Sequence, residues 1–370
     1  MKRKSGILVL AAVLVLSLIV GACKGRESGT GGGARGSGAF DPGKLKIAVA
    51  LGWMANESGW VQRDGYAAAL KEAGVLESNI TYFDANYDPV VQSQQLESII
   101  EAKPDFIFMT PASGDGLSEA VRNVVEAGIG IAFSDGSSAG CEDIVTTETI
   151  CDNYRDGAVS MEWLAKRLDY KGNVCLIKLD PNPAWKPRSD AAKDVVAKYP
   201  DMKIVSEWSW DPTGVNTPRQ AMDGFLAGNP QKGSISAVWA AWDTACLEAI
   251  EACKAAGRTE IIFGGHDGGQ EGIDALLDEP QFVVSIGPNP AAQCYNNVRN
   301  AMAWLKGEQI QRRNYAETTI LEPESLKKAQ GLLKSGEKLG DYGNPGQAVA
   351  WGLPQAPQGV TPANLRDLKL

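Results

Sequence analysis

The residues with most to offer chemically in this 370-residue chain are tryptophans and aspartates placed side by side in short Gly- and Pro-rich stretches. Gly52-Trp53-Met54-Ala55-Asn56-Glu57-Ser58-Gly59-Trp60 is one such stretch, and Asp180-Pro181-Asn182-Pro183-Ala184-Trp185-Lys186-Pro187-Arg188 is another. Asp135-Gly136, Ser209-Trp210-Asp211, Ala241-Trp242-Asp243 and Gly265-His266-Asp267-Gly268 complete the set. An indole packs against the C–H face of a sugar-like ring, while carboxylate, amide and guanidinium groups bond its adjacent hydroxyls. That combination is what recognition of a small polyhydroxylated molecule requires.

Each candidate has a plainer alternative. Trp163 and Trp304 fall within amphipathic helical stretches and Trp239 within a strand, so all three are expected in the core. Trp53, Trp60, Trp185, Trp210 and Trp242 have Gly, Pro and Asp neighbours and are expected to face a ligand, with core packing as the alternative. Asp243, directly ahead of Thr244-Ala245-Cys246-Leu247-Glu248, reads as a helix N-cap, whereas Asp135 and Asp267 lie against glycine and read as ligand contacts. Arg188 offers its fork of donors either to a hydroxyl or to a surface ion pair.

Enzyme chemistry finds little support. His266 is the single histidine, no GxSxG elbow is present, and neither a Walker A nor a GxGxxG motif follows the first strand. Zinc-ligand spacings of the CxxC or paired-histidine kind are missing, so no metal or cofactor is expected. A paired-carboxylate glycosidase is the one enzyme class that spacing alone leaves open.

The elements that must position these residues alternate in type. From Lys44 onward, short β-rich runs at 45–51, 80–84, 105–110 and 129–134 are separated by helix-period stretches at 61–73, 90–102 and 117–127. A second series beyond Cys151 predicts helices at 155–168, 189–199, 217–227 and 244–256, with strands at 173–179, 203–208, 235–240 and 261–263. In open parallel sheets ligands bind beyond the carboxyl ends of the strands, which is where the Trp and Asp pairs fall.

Composition sets the outer limits. With 44% hydrophobic and 22% charged residues the chain is long enough for two lobes, and a net charge of −9 without basic runs beyond the N-terminus argues against nucleic acid. Lys2, Arg3 and Lys4 precede an apolar stretch from Ile7 to Val20 and the small residues Gly21-Ala22, the pattern of a signal peptide over 1–22; a retained anchor helix is the alternative. Ile19-Val20-Gly21-Ala22-Cys23 resembles a bacterial lipobox, in which Cys23 would carry lipid, with Ile19 where leucine is most common. The Gly/Ser-rich segment that follows, within 23–43, reads as a flexible tether. Cys141 and Cys151 span a Gly/Asp/Thr-rich connection and can bridge in an oxidising compartment, a link worth about 2–3 kcal/mol. Cys175, Cys246, Cys253 and Cys294 read as core residues.

Gln62-Arg63-Asp64-Gly65, Thr110-Pro111-Ala112-Ser113-Gly114-Asp115, Asp152-Asn153-Tyr154-Arg155-Asp156-Gly157, Trp242-Asp243 and Gly264-Gly265-His266-Asp267-Gly268, in this order and spacing, resemble the periplasmic-binding-protein superfamily of the ribose- and galactose-binding type. The resemblance runs from 44 to about 320. It implies an α/β fold of two doubly wound parallel-sheet lobes, the type I periplasmic binding protein fold, joined by a three-segment hinge. The chain would cross between lobes near 135–152, 287–290 and 312–316. Lobe 1 would comprise 44–150 plus 288–312, lobe 2 would comprise 151–287 plus 313–340, and 341–370 would form a C-terminal tail, either wrapped on a lobe or loose. Sugar contacts are implied at Asn56, Asp135, Arg188, Trp210 and Asp267, with Trp60 within one position of the family's aromatic pair. Trp242 stands where sugar binders usually have asparagine, and Pro288 with Asn289 stands where they have glutamine, which suggests a more aromatic pocket. The implied role is an extracytoplasmic, lipid-anchored protein that captures a monosaccharide and delivers it to the permease of an ABC importer. A nucleoside or polyol ligand, or a sensory module serving a chemoreceptor or kinase, are the alternatives.

Overall fold

The computed structural model describes residues 40–370 apart from 56, 181–184, 212–214 and 345. Cys23 and Asn56 therefore lie outside the described residues. The chain builds β1 (Ile47–Leu51), α1 (Glu57–Glu72), β2 (Ile80–Asp84), α2 (Pro89–Ala102), β3 (Phe106–Thr110), α3 (Ser118–Glu126), β4 (Gly130–Asp135) and β5 (Thr147–Ile150). It continues through α4 (Asn153–Arg167), β6 (Gly172–Lys178), α5 (Lys186–Lys198), β7 (Met202–Ser209), α6 (Pro218–Gly228), β8 (Ala237–Ala240), α7 (Asp243–Ala255), β9 (Ile262–His266), α8 (Gln270–Asp278) and β10 (Phe282–Gly287). Last come α9 (Pro290–Leu305), β11 (Arg313–Tyr315), β12 (Thr319–Leu321), α10 (Pro323–Gln330), a 3-10 turn at Leu339–Gly343 and α11 (Gln347–Ala350).

Two six-stranded sheets result, in the orders β11-β5-β4-β3-β1-β2 and β12-β10-β9-β8-β6-β7. Among the described strands every pairing is parallel except β10 with β12. The continuous apolar runs explain why helices cover both faces. In β1, Ile47, Val49 and Leu51 enter one core with Tyr66 and Leu70 of α1, while Ala48 and Ala50 enter another with Leu96 and Ile99 of α2. In β6, Val174 and Leu176 face α4 and α5, and Cys175 and Ile177 face α6 and α7. Period-two alternation between two buried faces is the signature of a doubly wound sheet.

The chain passes from the first sheet to the second at 151–152, returns at 288–289 when α9 packs Cys294, Val298 and Ala301 into the β1 core, and crosses a last time at 316–318. The last crossing overlaps the expected 312–316 at Ala316 and runs on to Thr318. Arg313, Asn314 and Tyr315 extend the first sheet beside Glu148, Thr149 and Ile150, so they belong with the first lobe rather than with a second lobe starting at 313. Of the two readings of 341–370, the described residues take the one in which the segment wraps a lobe. Tyr342, Trp351 and Leu353 join one core of the second lobe, Val360, Leu365 and Leu368 join the other, and the backbone pairs at Ile320 with Pro354 and at Ala356 with Thr318.

Arg155, in the first turn of α4 and fully buried, ties these crossings together. Its guanidinium reaches Asp156, Gln358, the Ala316 carbonyl and the Thr318 hydroxyl. Two residues on, α4 approaches α5 so closely that a Cβ on Gly157 would lie 2.0 Å from the Arg188 carbonyl oxygen. Backbone cannot yield as a side chain does, so Gly157→Ala is expected to cost about 2 kcal/mol of stability and to displace Arg188. Denaturant unfolding of the variant checks the first effect, and a fall in ligand affinity checks the second.

Candidate functional site

Parallel sheets deliver their strand ends to one side, and here the ends of both sheets meet. β4 closes with Asp135, a non-glycine residue at φ +67, a conformation that Asp tolerates better than most side chains. Its N–H donates to Gln293 Oε1 at 2.7 Å, and its Oδ1 accepts from the Cys151 thiol at 3.2 Å. Gln293 Nε2 in turn donates to the Pro288 carbonyl at 2.9 Å, so one amide fastens the first crossing to the second. Asp135 is buried; loss of water raises its carboxyl pKa, and the Cys151 hydrogen bond and Arg188 oppose the shift.

From the second sheet come Arg188 and Asp267. Arg188 sits in the first turn of α5, one helical turn earlier than the sequence pattern places that helix, and is 3% exposed. Nε and Nη2 donate to Asn153 Oδ1 at 3.1 and 2.8 Å, and Nη1 donates to the Ala241 carbonyl at 2.6 Å. Nη1 also lies 3.9 Å from Asp267 Oδ1. Asp267 follows β9 at φ +110, with its N–H on the Ile286 carbonyl at 3.0 Å. Its side chain is 44% exposed, yet the protein atoms crowded around it still displace part of its water. Burial therefore dominates and pushes the carboxyl up to about 7, against the pull of Arg188 and with added repulsion from Asp135 and Glu57. Two carboxylates from different sheets thus feel each other and share one guanidinium.

Asp243, expected as an N-cap, is instead the first residue of α7, behind Trp242. Its oxygens accept from Ser285 Oγ at 2.7 Å and from Gly268 N at 2.8 Å, pinning the loop that carries Asp267. Burial and then the charge of Asp267 hold its pKa well above the ordinary carboxylate range. His266 is buried and kept neutral by desolvation, with Nδ1 against the Ala240 carbonyl and Nε2 against Ser160 Oγ, both at 3.0 Å. It is a packing element of β9.

Aromatic rings span the two lobes. Trp53 stacks on Tyr87 with centroids 5.4 Å apart and planes 3° from parallel, and meets Trp185 of the opposite lobe at 5.5 Å and 59°. Tyr87 escaped the sequence reading although it closely follows the end of β2, where the strand-end rule would have found it. A second contact also joins the lobes: Glu57, opening α1, accepts from the N–H groups of Gln270 at 2.6 Å and Glu271 at 3.3 Å, at the N-terminus of α8.

Other candidates are placed differently. Trp60 lies within α1, which starts at Glu57 rather than Val61, and is 49% exposed. Trp242 packs against both cores of the second lobe, so its partial burial is accounted for by packing. Trp210 is half-buried past the edge strand β7, its N–H on the Lys178 carbonyl. Asn289 is buried at φ +50 with its amide against Thr319 Oγ1, at distances of 3.3 and 3.4 Å, and so serves the crossings. Cys141 and Cys151 are both free: Cys141 is buried in the core under α3, whereas Cys151 points its thiol at Asp135, so the expected bridge does not form.

A family profile described as "Periplasmic binding protein domain" matches residues 47–309. Among curated proteins, a xylitol-binding protein of Mycolicibacterium smegmatis is 28% identical over 62% of this chain and 65% of its own length, so the chain spans just under two thirds of that relative. The ribose import binding protein RbsB of Escherichia coli is 23% identical over 72% of this chain and 87% of its own length. Among solved structures, an ABC transporter periplasmic solute binding protein from Actinobacillus succinogenes with bound D-allose superposes with a TM-score of 0.70 at 23% identity, covering 77% of this chain and 99% of that one. A solute binding protein from Bacillus halodurans with bound myo-inositol gives 0.70 at 21%, covering 79% and 99%. At these identities the superpositions speak for the fold.

Proposed function

The chain belongs to the periplasmic binding protein domain family, and from that premise we propose that it captures a monosaccharide or polyol in the crevice between its lobes and delivers it to an ABC importer. The carrying observation is that Asp135, from the end of β4, feels Arg188 and Asp267 of the second lobe, while the Trp53 and Trp185 rings also meet across the lobes. Two carboxylates around one guanidinium suit a guest with several adjacent hydroxyls and no net charge, and indoles supply the faces its C–H groups pack against. The relatives named for xylitol and ribose import bind guests of this class, which supports the reading. Closure is ligand-biased because contacts from both lobes exist together only in the closed form. The family places the chain outside the cytoplasm, and lipid on Cys23 would hold it at the membrane; labelling with a fatty-acid analogue that is lost in Cys23→Ala checks that attachment.

Thermal unfolding against a panel of monosaccharides, polyols and nucleosides tests the reading. A guest at a hundred times its dissociation constant adds about 2.7 kcal/mol to folded-state stability, or about 5–10 °C for lobes of this size. The expected result is such a shift for one or a few sugars or polyols. A panel in which only nucleosides or charged solutes shift the transition would refute it.

A further inference from the structure

The C-terminal segment reaches the crevice as well as the core. The turn Leu339–Gly343 is held to α8 by the Gly340 N–H on Gln270 Oε1 at 2.9 Å, and α8 is the helix that Glu57 touches across the lobes. Tyr342 within this turn is 3% exposed, its ring packed in the core of the second lobe. Its hydroxyl end is lodged between two glycines. A Cβ on Gly287 would lie 2.0 Å from the Tyr342 oxygen, and one on Gly268 would lie 2.4 Å from it. Those glycines stand at the carboxyl ends of the adjacent strands β9 and β10, next in sequence to Asp267 and to the second crossing respectively.

The hydroxyl has no hydrogen-bond partner among the described residues. Asp243, the nearest recipient by charge, already accepts from Ser285 and Gly268, and the only polar side chain of the second crossing, Asn289, is turned to Thr319. The oxygen is not among the sealed-off unsatisfied polar atoms of the described residues, so it stays open to a partner without burdening the empty fold. Around this hydroxyl lie Asp267, Glu57 and Cys151, groups drawn from both lobes and the first crossing.

We infer that Tyr342 is a ligand-binding residue, its hydroxyl bonding a guest hydroxyl next to the one taken by Asp267. This rests on the reading of the crevice as a site for a polyhydroxylated guest. It also gives the segment beyond the last crossing a part in specificity, since it brings a neutral donor and acceptor to a corner whose other polar groups include the carboxylates of Asp267 and Glu57.

Tyr342→Phe removes one oxygen that holds no internal bond, so the variant is expected to fold with an unchanged melting temperature when empty. The measurement is calorimetric affinity for the best sugar or polyol of the panel and for its monodeoxy analogues, in wild type and variant. Expected is about a tenfold loss for the parent guest, with one deoxy analogue bound equally by both proteins because the same hydrogen bond is already missing. Equal affinity of both proteins for the parent guest overturns the inference. So does a uniform loss across all analogues with a lowered melting temperature, which marks a purely structural role. If wild type binds no sugar or polyol, the reading of the crevice fails first and takes this inference with it.

Discussion

Arg188→Lys is expected to weaken ligand binding by at least about a hundredfold and to lower folding stability by about 2–4 kcal/mol. The guanidinium does three jobs at once: two N–H groups converge on Asn153 Oδ1, a third meets the Ala241 carbonyl, and the same nitrogen faces Asp267. A lysine ammonium is a single point on a flexible stem and cannot hold an amide oxygen, a carbonyl and a carboxylate in fixed directions. Losing the donors of buried acceptors costs about 1–3 kcal/mol each, which sets the stability figure. The affinity figure, about 2.7 kcal/mol, reflects the displacement of the positive charge that draws Asp135 and Asp267 toward their ionised forms from its fixed place between them. Calorimetric titration with the panel's best guest, together with urea unfolding, reads both effects. Affinity within a few fold of wild type would show that Arg188 braces α4 and α5 without serving the crevice.

What sequence could reveal divides along physical lines. Strand and helix alternation was legible because β1, β3, β6 and β8 are continuous apolar runs between helical periods, and that pattern has one economical arrangement, a doubly wound sheet. Asp135, Arg188 and Asp267 were legible because parallel strands put their ends on one side. Helix starts were less so: α1 and α5 begin a turn early, and that single turn moves Trp60 onto a helix and Arg188 out of its loop. Long-range partners were not legible at all. Gln293 looks like any polar helical residue until the first crossing is laid against it, and Tyr342 lies in a Gly- and Pro-rich stretch with no periodicity to mark it. Cys141 and Cys151 carried a spacing compatible with a bridge, yet side-chain direction decided the matter, since one thiol faces a core and the other faces Asp135.

Asp267→Asn is expected to cut affinity by about 10- to 150-fold, the loss of a charged hydrogen bond worth about 1.5–3 kcal/mol, while making the empty protein more resistant to unfolding at neutral pH. Asparagine accepts the φ of +110 about as well as aspartate does, so the backbone is not the source of either effect. The charge is. In the fold the Asp267 carboxyl sits at about 7, against 3.8 for a free one, chiefly because the crevice withholds water. Between about pH 4 and pH 7 the folded protein therefore keeps a proton that the unfolded chain has released, and stability falls as pH rises through that window. Above about 7 both states are ionised and this group adds no further slope. Asp135 and Asp243, raised in the same direction, contribute slopes of the same sign and remain in the variant. His266, buried and neutral, contributes a slope of the opposite sign below about 6.5 and also remains in the variant, so the difference is what reads Asp267: at pH 5, 6, 7 and 8 the stability of Asp267→Asn relative to wild type should grow up to about pH 7 and then level off. A difference between variant and wild type that stays flat from pH 5 to 7 would mean the carboxyl is already ionised in the fold at pH 5. Binding would then depend on a carboxylate already tied up by Arg188 rather than on one held ready for a guest hydroxyl.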